Sequence, residues 1–153
     1  MSHTHTATPA TGQARASRLA RIRLSSLGAV AILLIEFILG IVYNLYGTAP
    51  TAKKSVGLFS SPVLALHVIV AILLVIAAVG QLVRAIGTRH RLTIWMSAIG
   101  LLGIVGAGFS GLGYTGNGAA GASLGMSLAF AVSLAAYVVL VFALPSSARS
   151  STT

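Results

Sequence analysis

Residues 24–46 read LSSLGAVAILLIEFILGIVYNLY, an unbroken apolar stretch whose one charged position is Glu36. A hydrocarbon layer about 30 Å thick is crossed by roughly 20 helical residues, so a run of this length and polarity belongs in lipid. Residues 62–83, 92–114 and 122–144 have the same character. Lipid offers exposed backbone polar groups no partner, which makes each of the four stretches a helix. The second and third connections, RAIGTRHR and TGNGAAG, are short, and short links favour antiparallel neighbours. The expectation is an all-α fold: four transmembrane helices in an antiparallel up-down-up-down bundle over residues 18–145. The flanking segments 1–17 and 146–153 are rich in Thr, Ser and Ala without hydrophobic periodicity and are expected to be disordered tails.

The rest of the composition agrees with a lipid-solvated chain. Of 153 residues 56% are hydrophobic and only 7% charged, and the mean hydropathy is +0.96. A core this small has no room to hide that much apolar surface from water. Ten Lys and Arg against one acid give a formal charge of +9, which in a soluble protein would suggest a polyanion partner. The placement of the charges argues for topology instead. Arg15, Arg18, Arg21 and Arg23 precede the first span, Arg84, Arg89 and Arg91 flank the second connection, and Arg149 follows the last span. Lys53 and Lys54 alone fall on the other side. By the positive-inside bias both termini are expected to be cytoplasmic in a multi-pass protein of the bacterial inner (cell) membrane. The arginines are then expected to meet anionic lipid head groups, and no nucleic-acid partner is expected. The first apolar run is too long for a signal-peptide core and reads as an uncleaved helix. Cysteine is absent, which removes disulfides, thiolate metal sites and thiol catalysis.

Few residues carry chemistry. On helix one Ser25, Gly28, Glu36, Gly40, Tyr43, Asn44 and Gly47 recur at helical spacings and predict a small, polar face. Glu36 lies twelve residues beyond Leu24, roughly 18 Å at helical rise, near the bilayer midplane. A bare carboxylate at that depth costs on the order of 2.5–3.5 kcal/mol, so Glu36 is expected to face inward, protonated or hydrogen-bonded. His67 sits just inside the start of helix two, at the expected depth of Tyr43 and Asn44. That places it about six residues, or 9 Å, from Glu36 along the axis, too far for a direct hydrogen bond and suited to a relay through Tyr43, Ser110 or water. His67, Ala71, Leu74, Ala78 and Gln81 share one face of helix two. Gly100, Gly103 and Gly111 on helix three, with Gly121 and Gly125 on helix four and Gly40 on helix one, form small-xxx-small patterns expected to let helices approach closely.

Hydrolytic catalysis needs a nucleophile, a base and an orienting group together, and one acid with one membrane-embedded histidine is a partial set; the chain is not expected to be an enzyme. No metal site is expected, because Glu36, His67 and His90 are the only plausible ligands and His90 lies at the opposite membrane face. A bis-histidine haem would need a second facing imidazole, leaving haem at His67 as an alternative that requires an unusual second ligand or a partner chain. The segments IEFILGIVYNLYG, SPVLALHVIVAILL, RLTIWMSAIGLLGIVGAGFSG and ASLGMSLAFAVSLAAYVVL together resemble a group of small four-helix integral membrane proteins of actinobacteria, over residues 30 to 142. That resemblance implies the fold and no activity. The local string AILLIEFILG is similar to the first-helix motif of small multidrug resistance transporters, whose glutamate exchanges protons for cationic drugs; only Glu36 matches a functional position there. The expected function is a non-enzymatic membrane component or accessory subunit with a buried site of Glu36, Tyr43, Asn44, His67 and Ser110, able to pair with itself or another membrane protein. The alternatives are a proton-coupled small-cation carrier using Glu36 and a haem-binding redox component using His67.

Overall fold

The computed structural model describes residues 9–144, and the segments before and after, including the expected tail 146–153, lie outside them. Four helices follow one another: α1 Pro9–Tyr46, α2 Pro62–Thr88, α3 Arg91–Asn117 and α4 Ala120–Ala143. All four are long and apolar enough to cross a membrane. The spans expected from sequence fall inside them, except that the fourth, 122–144, runs one residue past the end of α4. The boundary expected at residue 17 does not coincide with a helix start, because α1 begins at Pro9 and carries the arginine-bearing segment as helix.

Local chemistry sets the ends. Ser61 caps α2 by accepting a hydrogen bond from the Leu64 amide at 3.2 Å, with Pro62 in the first turn, where its missing N–H costs nothing. Arg89 closes α2 in the left-handed region at φ 52, its amide donating to the Ile86 carbonyl. Gly118 closes α3 in the same way at φ 69, where a side chain would meet the Pro50 carbonyl oxygen at 2.5 Å. These turns bring each helix back antiparallel to the last. Packing joins α1 to α2, α2 to α3, α3 to α4 and α4 to α1, with no diagonal contact among the described residues. The bundle is a four-membered ring. Its two ends differ in charge: Arg18, Arg21, Arg23, Arg84, Arg89 and Arg91 mark an arginine end, and Lys53 and Lys54 mark a lysine end.

The inward stripe of each helix alternates steps of four and three. On α1 it runs Ile22, Ser26, Ala29, Leu33, Glu36, Gly40, Tyr43, and on α2 Leu64, His67, Ala71, Leu74, Ala78, Gln81, Ala85. A sustained 3.5-residue period is the spacing of helices wound round one another in a left-handed bundle. Because the helices are antiparallel, the stripes meet in layers. Leu33, Leu74 and Ile104, all buried, share one layer with Phe130 packed against them. Outside the stripes the surface is Leu, Ile, Val and Phe, the inverse of a water-soluble bundle.

The α3–α4 seam is the closest. A Cβ at Gly103 would overlap the Ser133 hydroxyl and lie 2.7 Å from the Ala129 carbonyl oxygen; one at Gly100 would lie 2.7 Å from the Tyr137 ring. Ser133 donates its hydroxyl to the Ala129 and Gly100 carbonyls at 2.9 and 3.1 Å, tying the helices where the glycines let them touch. At the lysine end the connection 47–61 crosses the bundle. The Val56 amide donates to the Thr115 carbonyl at 2.9 Å, and Tyr43 Oη donates to the Thr48 carbonyl at 2.9 Å. Buried Pro50 and an isolated Thr51–Lys54 bridge complete this cap.

Candidate functional site

Glu36 and His67 meet directly across the α1–α2 seam. His67 Nδ1 lies 2.5 Å from Glu36 Oε2, an ion-pair contact between the chain's only acid and the only histidine within the expected spans. The expected offset of about six residues is corrected to one turn. Ser61 and Val63 at the start of α2 line a cleft with Val42, Tyr43, Tyr46 and Gly47, so α2 begins alongside the last turns of α1. His67 consequently falls level with Gly40, whose absent side chain makes room for the imidazole: a Cβ placed there would lie 3.9 Å from Cε1. Glu36 is four residues below Gly40, a distance of about 6 Å along the axis that two extended side chains close between them.

The carboxylate is enclosed and the imidazole is not. Glu36 is 6% exposed, while the His67 side chain retains 25%. Beyond this contact, Glu36 Oε1 and His67 Nδ1 are both enclosed without a hydrogen-bond partner among the described residues. Nε2, the other ring nitrogen, is not among the enclosed atoms and makes no hydrogen bond among the described residues. The pair thus joins two helices, with the imidazole as its more accessible member.

The remaining expected site residues are not gathered here. Tyr43 is buried one turn beyond Gly40, with its hydroxyl engaged by the connection. Asn44 is exposed, and its Oδ1 receives only a long 3.5 Å contact from Tyr114 Oη. Ser110 lies on the α3–α4 seam, its Oγ 3.0 Å from a Cβ placed at Gly125, and it makes no hydrogen bond to Glu36, Tyr43, Asn44 or His67 among the described residues. A relay through Ser110 is therefore not built. Of the packing glycines, Gly100 and Gly103 are required by close approach, Gly125 is tight, and a Cβ at Gly111 would sit 3.6 Å from Met126 Sδ in ordinary contact. Gly121 has open space around it and is exposed, so it packs against nothing in this chain. The polar face expected on helix one also shifts by one position: Ser26, not Ser25, is the enclosed serine, and Gly28, Asn44 and Gly47 face outward.

A second set of polar residues near the arginine end was only partly visible in sequence. Gln81 Nε2 donates to Ser26 Oγ at 2.8 Å, and Ser26 donates to the Ile22 carbonyl at 2.9 Å. Thr93, Ser97 and Ser133 are each fully enclosed on α3 and α4. The signal that finds them is the four-three alternation, which phases Ser26, Gln81, Ser97 and Tyr137 to the bundle axis where a general search for small and polar residues does not. Arg23 Nε donates to the Val141 carbonyl at 2.8 Å, clamping α1 to the end of α4.

Among the described residues no pair of imidazoles faces one another as a bis-histidine haem would need. His90 is at the arginine end with Nδ1 3.0 Å from Thr93 Oγ1, and no second imidazole faces His67 among the described residues. No grouping of three or more His, Asp or Glu that would hold a metal occurs among them either. No family model matches the chain, and no curated protein or solved structure matches it.

Proposed function

We propose that this chain is a multi-pass protein of the bacterial inner membrane, with both termini cytoplasmic, and that it serves as a non-enzymatic membrane component in which the Glu36–His67 pair holds an exchangeable proton. The arginine-rich end supports that orientation through the positive-inside bias. The observation that carries the functional reading is the direct contact of Nδ1 with Oε2 at 2.5 Å. An ionisable residue within a span is expensive, and a pair that shares one proton relieves the cost while leaving that proton removable.

A second reading, a proton-coupled carrier of a small cation, is favoured by one feature. The cleft of about 90 Å³ lined by Val42, Tyr43, Tyr46, Gly47, Ser61 and Val63 opens at the lysine end, one turn from Gly40 and His67. Tyrosine faces attract organic cations, and Glu36 is the counter-charge beyond them.

One assay tests both readings. Detergent-solubilised protein in weakly buffered solution should take up and release protons on a pH step from its four histidines and the pair together, and Glu36→Gln should change the amount and midpoint of that exchange relative to wild type. Exchange that is unchanged in Glu36→Gln removes the pair from any proton role. Release driven by adding a small organic cation, lost in the same variant, would select the carrier; exchange indifferent to cations leaves the membrane component.

A further inference from the structure

The polar layer near the arginine end is a site of its own. Each helix gives it one residue: Ser26 from α1, Gln81 from α2, Ser97 from α3 and Tyr137 from α4. Three contacts place them within about one turn of one another. Gln81 bonds Ser26 directly. Arg23 bonds the Val141 carbonyl, and Ser26 and Tyr137 lie three and four residues from that contact in the same direction. The Tyr137 ring is seated on Gly100, three residues from Ser97 on the same stripe. All four side chains are at most 2% exposed.

Two of the four lack partners. Ser97 Oγ and Tyr137 Oη are enclosed and make no hydrogen bond among the described residues. Leaving a hydroxyl in that condition is costly, and such groups are ordinarily satisfied by ordered water, which binds where two or more polar partners converge. Here the two orphan hydroxyls share a layer with a third hydroxyl and an amide. We propose that this layer is an internal water site, with water bridging Ser97 Oγ and Tyr137 Oη beside the Gln81–Ser26 bond.

The site's position gives it meaning for the pair at the other half of the bundle. Seven residues along every stripe from this layer comes the apolar layer of Leu33, Leu74, Ile104 and Phe130, and Glu36 with His67 lies beyond it. The molecule thus carries a proton-holding pair on the lysine side and a hydrated hydroxyl cluster on the arginine side of one apolar layer. The water assignment does not depend on Glu36 exchanging a proton.

X-ray radiolysis of the solubilised full-length protein, with labelled positions read by mass spectrometry, tests it directly. Hydroxyl radicals formed from ordered water modify the side chains touching that water. Tyr137, although enclosed, should be modified at a rate of the same order as exposed Tyr46, and Ser97→Ala should lower the Tyr137 rate several-fold without changing that of Tyr46. A Tyr137 rate as low as that of enclosed Leu140 overturns the site, and so does a rate indifferent to Ser97→Ala. Glu36→Gln should leave Tyr137 labelling unchanged, so this proposal and the proton-exchange reading fail separately.

Discussion

The two halves of the bundle are built from the same stripes and closed to different degrees. Toward the arginine end the layer of Ile22, Ala85, Thr93 and Leu140 and the layer of Ser26, Gln81, Ser97 and Tyr137 are at most 2% exposed. Toward the lysine end Gly40, His67, Ala71, Ala107, Gly111 and Met126 are only half-buried. Polarity does not separate the halves, since both contain buried polar groups. What separates them is the pair that joins α1 to α2: Gln81 with Ser26 in the closed half, Glu36 with His67 in the open half. Neutral groups survive full enclosure at modest cost, whereas an ionisable pair is more expensive to enclose. The closed half is suited to holding the helices together, and the open half carries the pair on which the proposed function rests.

Substitutions sharpen this contrast, beginning with the largest effect. Gly103→Val should cost roughly 3 kcal/mol, because the added carbons overlap the Ser133 hydroxyl and the Ala129 carbonyl and push α4 from α3. Thermal unfolding in detergent reads that loss directly. Survival of Gly103→Val with an unchanged melting temperature would mean that the seam is not closed at this point. Glu36→Leu should cost about 1–2 kcal/mol by stranding His67, and Glu36→Gln distinctly less, because an amide can still face the imidazole. Equal stability of wild type, Gln and Leu variants would remove the pair from the packing of α1 on α2. Gln81→Leu should cost about 1 kcal/mol or less, since Ser26 retains its bond to the Ile22 carbonyl.

The sequence states the fold because lipid imposes it: four long apolar runs admit only helices, and short links with charge at alternate ends fix their order. The pairing of Glu36 with His67 is harder to read. Axial depth estimated from the ends of the apolar runs places His67 beside Tyr43, and a longer overlap of α1 with α2 brings it down to Gly40. An error of a turn or less in the relative height of two helices changes which side chains touch, and hydropathy does not resolve one turn. Choosing Ser25 over Ser26 has a similar cause. Serines one position apart differ by about 100° round the helix, and only the strict four-three phase, anchored here on Ile22, Ala29 and Leu33, separates the enclosed one from its neighbour.

Gly121 supplies the smallest effect and the one that bears on what surrounds the open half. It occupies the first turn of α4 at the lysine end, is exposed, and would have nothing within 4 Å of an added Cβ. Gly121→Ala in an isolated chain should therefore change stability by no more than about 0.5 kcal/mol, in the favourable direction, because alanine loses less backbone entropy in a helix. Small residues on an outward helix face also mark places where a second helix comes close. The two explanations part in the bilayer: unfolding measured in detergent at low protein density and again in proteoliposomes should give the same small gain if Gly121 faces lipid. A loss confined to the proteoliposomes would mean that α4 is covered there by another helix, and the half of the bundle that is open in one chain would then be closed by its partner.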